Sequence, residues 1–452
     1  MSVELIHPWR GTTDYRYDYV GEPEVEKTLQ AAATAWPQWA SLSLEARGAH
    51  LKAIARVLRE RRDAIAATMA DDMGKLRRES LAEIEKSASA CEYYADHAID
   101  YLRDQSVATE ARRSYVTYAP IGCVFAVMPW NFPIWQVFRF LAPGLMAGNV
   151  AVLKHATNVP RCANAILDVV RAAGLPEGVF GVLHIDNGTA ARVIADPRVQ
   201  AVTLTGSDRA GRSVASTAGQ HLKKCVLELG GSDPFVVLDD ADLDVTIPAA
   251  IASRFGNAGQ TCIAAKRFIV TPGIADAFVA RFVEAAGKLA VGDPMDEATT
   301  LAPMARADLA EELHHQVERS LAAGATLLLG GTPGAGSHYP ATILDHVRPG
   351  MPAYHEELFG PAASILRARD DDDAVRLAND TSFGLGASVW TRDVARGEAV
   401  ARRLDAGATF VNAIVRSDVR LPFGGTKASG YGRELAEHGI HEFMNIKTVY
   451  VA

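Results

Sequence analysis

The sequence predicts an α/β fold built on two doubly wound sheets, and three observations carry that reading. Residues 22–99 keep apolar side chains at three- and four-residue spacing, as in Leu51, Ile54, Val57 and Leu58, with few turn residues between them. That is the period of amphipathic helices. From 150 to 229 short apolar runs alternate with helical stretches, and a second such set begins at Pro234. Alternation of this kind needs crossover connections, which build parallel strands flanked by helices.

The elements follow in order after that helical block. Residues 114–128 switch to a two-residue period, and Tyr115, Thr117 and the run 124–127 suggest a strand pair joined at Pro120-Ile121-Gly122. A helix should run from Pro133 to about Met146, because proline suits a first helical turn. Strands are expected at 150–153, 179–184, 201–205 and 225–229, with helices at 161–173, 190–195 and 208–218 between them. In the second set the strands fall near 268–270, 326–329, 363–366, 387–390 and 408–411. The tail 443–451 ends in the β-prone run Thr448-Val449-Tyr450-Val451. A terminal strand needs a partner, and another subunit is one candidate for it. There is no internal repeat, and the Gly/Pro-rich patch 330–337 is too short to link independent domains.

Composition narrows the function. At 452 residues the chain has room for about three structural units. Lys and Arg number 46 against 54 Asp and Glu, a net charge of −8. A mildly acidic chain has no bulk electrostatic reason to bind nucleic acid or an anionic membrane surface. Five cysteines without a CxxC pair suggest neither a zinc site nor a disulfide framework. The expectation is a cytoplasmic globular protein, with no metal, no signal peptide and no membrane span.

The glycine fingerprint GxGxxG is absent. Instead Gly206-Ser207-Asp208-Arg209-Ala210-Gly211-Arg212-Ser213 follows a predicted strand and opens a helix. Backbone N–H groups at such a turn suit a phosphate. The run is a near miss for a P-loop, but Arg212 stands where a compact lysine is required. Next, Gly256-Asn257-Ala258-Gly259-Gln260-Thr261-Cys262 puts a cysteine after a tight run of small residues. A lone cysteine is ordinarily a small core residue, but these neighbours are not a core pattern. Glu228, 34 residues upstream, ends an apolar strand before a Gly pair. It reads either as a buried acid satisfied by backbone donors or as a general base raised by apolar surroundings. Asn131, in Met128-Pro129-Trp130-Asn131-Phe132-Pro133, sits at the positive end of the predicted helix. It either caps that helix or donates to an oxyanion.

Together these pieces resemble the aldehyde dehydrogenase superfamily over essentially the whole chain. The motifs, in the family's order, are Pro129-Trp130-Asn131-Phe132-Pro133, Lys154, Gly206-Ser207, Glu228-Leu229-Gly230-Gly231, Gly259-Gln260-Thr261-Cys262, Glu356-Glu357-Leu358-Phe359-Gly360-Pro361 and Pro422-Phe423-Gly424-Gly425. The stretch 416–423 looks most like the bacterial succinate-semialdehyde dehydrogenase branch. The resemblance implies a dinucleotide-binding domain over 1–106 and 121–228, a catalytic domain over 229–424, and an oligomerisation arm and tail over 107–120 and 425–452. It implies that Cys262 is the nucleophile, that Asn131 and the Cys262 N–H hold the oxyanion, and that Glu228 activates water. Lys154 and Glu357 would contact the two riboses and Ser207 the pyrophosphate. Trp130, Gly206, Leu229 and Phe359 would line the rest of the cofactor site.

The chain departs from the family at Thr157, where many NAD-preferring members have Glu, and at His155, where Pro is common. A neutral Thr157 beside Lys154, with His155 as an added donor, favours NADP, with NAD as the alternative. At position 256, where some semialdehyde-specific relatives carry a second Arg, the chain has Gly256.

Substrate choice turns on Arg139, the only formally charged residue between Ser114 and Leu153. An arginine in so apolar a helix must reach water or meet an anion. That anion is either a distant Asp or Glu or the carboxylate of a short semialdehyde. The second reading has Trp135, one turn before Arg139, walling the substrate and Ser417 as second carboxylate donor. The expected activity is therefore oxidation of a small semialdehyde by a homodimer or homotetramer. A CoA-acylating relative is disfavoured by Glu228, since that branch typically lacks the base.

Overall fold

The computed structural model describes residues 2–452. Five parallel strands form most of a six-stranded sheet, in the order Lys224–Glu228, Val199–Thr205, Cys123–Met128, Val150–His155 and Phe180–Val182. The short strand Gly430–Tyr431 adds antiparallel to Lys224–Glu228. A seven-stranded sheet holds Asp233–Val237, Ala265–Val270, Thr342–Asp345, Ala362–Arg367, Gly386–Trp390 and Ala408–Val411 in parallel, with Thr326–Leu329 antiparallel at one edge. The central strands Val150–His155 and Asp233–Val237 are buried along their whole length, as expected where helices cover both faces of a sheet. The strand Thr342–Asp345 and the N-terminal pair Ser2–Ile6 and Thr13–Asp18 went unpredicted.

The predicted helical block resolves into Glu22–Ala40, Leu44–Glu60, Arg62–Met73 and Arg77–Leu102. The breaks carry recognisable chemistry: the Ser43 side chain accepts from the Ala46 N–H, and Gly74 is left-handed at φ 74°. No helix among the described residues is long and apolar enough to cross a membrane.

One expectation needs correction. Residues 114–128 are not a hairpin. Arg113–Pro120 belongs to a three-stranded antiparallel sheet, whereas Cys123–Met128 sits inside the six-stranded one. The chain passes between them at Ile121-Gly122, where the Asn149 side-chain oxygen accepts from both N–H groups at 2.9 and 3.0 Å. The terminal strand Met444–Val451 finds its partner within the chain. It pairs over its full length with Arg113–Pro120 of the same chain. Its other edge carries no strand, and Ile446, Tyr450 and Val451 are exposed along it.

A candidate active site between the two sheets

Beyond the carboxyl ends of the six-stranded sheet opens a cavity of about 530 Å³, lined by Trp130, Asn131, Ser207, Cys262, Glu357 and Phe359 among others. Clefts at that end of a parallel sheet are where ligands bind in such folds. The cavity brings together motifs that lie more than two hundred residues apart in sequence.

Cys262 is presented by a strained turn. Asn257, Ala258 and Gly259 are all left-handed, at φ 53°, 52° and 71°. For the two non-glycine residues that costs about 1–2 kcal/mol each, so the surroundings must hold it. Asn257 donates from Nδ2 to the Asn131 carbonyl at 2.9 Å, and its N–H donates to Glu79 at 2.9 Å. Arg254 donates to the carbonyls of Gly259 and Gly360 at 2.7 and 2.6 Å. Lys266 donates to the Cys262 carbonyl at 2.8 Å and pairs with Glu357 at 3.2 Å. Among the described residues the Cys262 N–H has no hydrogen-bond acceptor. It is left free for an oxyanion. Burial pushes the Cys262 thiol up to about 12, although the Arg139 and Lys266 charges pull the other way. A lowered thiol pKa is therefore not supplied by the protein's own groups.

Asn131 is buried, and its Nδ2 donates one hydrogen to the Gln260 carbonyl at 2.9 Å. An amide nitrogen carries two hydrogens, which leaves one for the cleft. Asn131 does not cap the following helix Trp135–Ala147. Glu83, from the helix Arg77–Leu102, does so by accepting from the N–H groups of Ile134 and Trp135 at 2.8 and 2.9 Å. Glu83 is in turn paired with Lys75, which also donates to the Asn131 carbonyl. Neither Lys75 nor Glu83 belongs to any motif, and sequence reasoning missed both.

Glu228 ends its strand fully buried, with no hydrogen-bond partner on either carboxylate oxygen. Burial holds its pKa well above the usual carboxylate range, Glu434 pushes the same way, and Arg139 and Arg433 oppose them. Close packing confines it: a methyl on Gly424 would lie 2.7 Å from Glu228 Oε1. The alternative of a carboxylate satisfied by backbone donors is not what the structure holds.

Arg139 is a correction. Its guanidinium is ion-paired with buried Glu434, donates to the Thr205 hydroxyl at 3.2 Å and lies over the Phe423 ring. With its charge already answered by Glu434, it is not the free cation that a substrate carboxylate would seek. Trp135 is buried one turn from Asn131, and Ser417 is buried as well. Both meet instead at a residue the sequence reading passed over: Lys86 donates to the Ser417 hydroxyl at 2.6 Å and lies 4.2 Å from the Trp135 ring centre.

Of the groups expected to hold a cofactor, all but His155 and Thr157 line this cavity or an adjoining one. Ser207 caps the helix Asp208–Gln220, whose N-terminus faces the cavity. Gly230 must lack a side chain, because a Cβ there would strike the Glu357 carboxylate, and Leu229 lines the wall nearby. One Glu357 oxygen accepts from the Gly231 N–H at 3.0 Å. Trp130 and Phe359 stand edge to face at 5.7 Å. Lys154 opens into an adjoining cavity of about 310 Å³ together with Ser207 and Arg209. His155 is held elsewhere. Its ring is buried, with Nε2 2.8 Å from the Pro133 carbonyl and Nδ1 taken by the Ala156 N–H at 3.0 Å. Burial lowers its pKa to about 4, so the neutral ring braces the Trp130–Pro133 turn and is not a phosphate donor.

A half-buried cysteine beside two oxyanion donors, with a shielded carboxylate near it and a dinucleotide-sized cleft beside it, defines an enzyme that oxidises through a thiol adduct. The chain belongs to the aldehyde dehydrogenase family, whose model matches residues 1–449. Over 447 residues it is 48% identical to a protein of Escherichia coli (strain K12) named succinate semialdehyde dehydrogenase, NAD(P)+, with 98% of this chain and 97% of that one covered. Over 457 residues it is 45% identical to the succinate-semialdehyde dehydrogenase, NADP(+), of Mycolicibacterium paratuberculosis, covering 100% of this chain and 97% of that one. The crystal structure of succinic semialdehyde dehydrogenase from Streptococcus pyogenes in complex with NADP+ superposes with a TM-score of 0.97 at 37% identity, over 99% of both chains.

Proposed function

We propose that this protein oxidises succinic semialdehyde to succinate with NADP. The observation that carries the reading is an intact Cys262, Asn131 and Glu228 set in a chain 44–48% identical, over its full length, to succinate-semialdehyde dehydrogenases. The Cys262 sulfur attacks the aldehyde carbon and the carbonyl π pair moves to oxygen, giving a thiohemiacetal. Asn131 Nδ2 and the Cys262 N–H donate to the oxyanion. When bound, a nicotinamide coenzyme would supply the hydride acceptor; loss of hydride from the adduct as the C–O double bond reforms leaves a thioester on Cys262. Glu228 takes a proton from the water that attacks this thioester, and the thiolate leaves. The test is formation of reduced coenzyme from succinic semialdehyde, with NADP or NAD and with or without CoA. A requirement for CoA, or no turnover, overturns the reading.

The coenzyme preference rests on the neutral position 157. Thr157 carries no charge to repel a 2′-phosphate, its backbone carbonyl accepts from Tyr17 at 2.9 Å, and Lys154 and Arg209 line the adjoining cavity. Thr157→Glu is expected to shift the ratio of kcat/KM values toward NAD by at least tenfold, about 1.4 kcal/mol. An unchanged ratio would mean that the phosphate is held elsewhere.

The division of the chain goes with the same proposal. The six-stranded sheet, with the preceding helices, serves as the dinucleotide-binding domain and the seven-stranded sheet as the catalytic one. The three-stranded sheet serves as the oligomerisation arm of a cytoplasmic homodimer or homotetramer. Its exposed edge at Met444–Val451, with Ile446 and Tyr450, supports that role.

A further inference from the structure

Lys266 is the second residue of the strand Ala265–Val270 and is buried to 1% exposure. Its ammonium folds back on the turn that carries the nucleophile. It donates to the Cys262 carbonyl at 2.8 Å and to the Thr261 carbonyl at 3.1 Å. It also pairs with Glu357 Oε1 at 3.2 Å, the same oxygen that accepts from the Gly231 N–H. Cys262 and Glu357 both line the cavity of about 530 Å³. One side chain thus touches the backbone of the nucleophile and a carboxylate of the coenzyme cleft.

The sheet explains why these groups meet. Asp233–Val237 runs parallel to Ala265–Val270, with Asp233 opposite Ala265. The Gly230-Gly231 turn after Glu228 and the turn after Gly259 therefore enter the seven-stranded sheet side by side. A Cβ on Gly231 would lie 2.8 Å from the Cys262 carbonyl oxygen, so the two turns are in close contact. A buried ammonium needs both acceptors and a counter-charge. Lys266 has three hydrogens, and Thr261, Cys262 and Glu357 supply the near oxygens. Asp233 also feels the Lys266 charge, but burial raises that acid to about 7 and the Gly386 N–H occupies its Oδ1 at 3.1 Å. The charges act in opposite senses at the Cys262 sulfur. Lys266 and Arg139 favour the thiolate, whereas Glu357 and Glu228 disfavour it.

We propose that Lys266 is a positioning residue for both halves of the site, fixing the Cys262 carbonyl while holding Glu357 in the orientation that a bound coenzyme meets. The inference rests on the function and coenzyme proposed above and adds to them a residue outside the catalytic motifs. Without the ammonium, Glu357 keeps the Gly231 N–H alone and can turn, and the Cys262 carbonyl loses its restraint.

The test uses wild type, Lys266→Met, Glu357→Gln and the double variant. NADP affinity is measured by fluorescence titration. Alkylation by iodoacetamide without coenzyme is followed at about pH 9 on the Cys262 peptide by mass spectrometry. Each single substitution is expected to weaken NADP binding on the order of tenfold, and the double variant should bind no worse than the weaker single, as for groups that act as a pair. Alkylation should be at least fivefold slower in Lys266→Met and faster in Glu357→Gln, whereas general loosening of the site would speed both. Lys266→Gln keeps N–H donors without the charge and decides the question should the methionine variant not fold. Its alkylation should slow similarly, with a smaller loss of NADP affinity. Additive losses of NADP affinity, or alkylation that moves the same way in both single variants, overturn the role of Lys266. A wild type that does not reduce NADP with succinic semialdehyde overturns the proposed function instead.

Discussion

Cys262→Ala is expected to lower aldehyde oxidation at least a thousandfold, about 4 kcal/mol of transition-state stabilisation, while coenzyme still binds. The covalent route has no substitute in the cleft. The other four cysteines are Cys91, Cys123 and Cys162, all buried, and Cys225 on the strand Lys224–Glu228, and none of them lines the cavity. Coenzyme titration by fluorescence and steady-state turnover check both halves, and residual turnover above a few per cent would remove Cys262 from its role. The buried thiol adds a pH signature. With its pKa pushed up to about 12, the thiolate fraction of the free protein grows about tenfold per pH unit over the range below that value. Alkylation of Cys262 by iodoacetamide should therefore still be accelerating at pH 10, where an ordinary thiol has levelled off.

Glu228→Gln should separate the two halves of the reaction. A first equivalent of reduced coenzyme per site is expected in a burst, followed by turnover at least a hundredfold slower, about 2.7 kcal/mol. The thioester is expected to accumulate and to be visible by mass spectrometry of the quenched protein. The reason is the location of the loss: water must be deprotonated to attack the thioester, whereas the first attack needs only the thiolate. A mutant with no burst would mean that Glu228 acts before the hydride leaves. The pH dependence follows from the same carboxylate. Burial holds its pKa well above the ordinary value, and only its ionised form can take a proton. Wild-type deacylation should therefore still be rising with pH above the ordinary carboxylate range and fall on acidification, and Glu228→Gln should lose that dependence.

What the sequence disclosed was the chemistry written in local patterns. The alternation of runs between 150 and 229 made the parallel sheet legible, because strands buried on both faces read as short apolar runs. Cys262, Glu228 and Asn131 were legible because each sits in a motif whose spacing survives in the chain. The partners of long-range pairs were not. Glu434 answers Arg139 from 295 residues away, and neither neighbourhood names the other. The strand at 113–120 read as half of a hairpin because local sequence cannot say that the chain changes sheets at Gly122. Lys86 was lost for a different reason: it flanks the buried stripe of a long amphipathic helix, where a lysine is normally a solvated edge. His155 failed in the opposite sense, since a residue near a cofactor motif invites a cofactor role, and only packing reveals a ring locked between backbone groups.

Lys75 has a bearing on how natural variants of this chain would be diagnosed. One ammonium, buried to 1% exposure, touches Glu83, the Asn131 carbonyl and the Phe132 ring. A change there would register as a folding defect in a melting experiment, because it strands the Glu83 carboxylate. It would register as a catalytic defect in an assay, because the Asn131 carbonyl loses one of its two donors and keeps only Asn257. A survey that sorts substitutions by distance from Cys262 in sequence would file Lys75 as remote and harmless. Ranked by which backbone carbonyl a side chain restrains, it stands beside Asn131 itself.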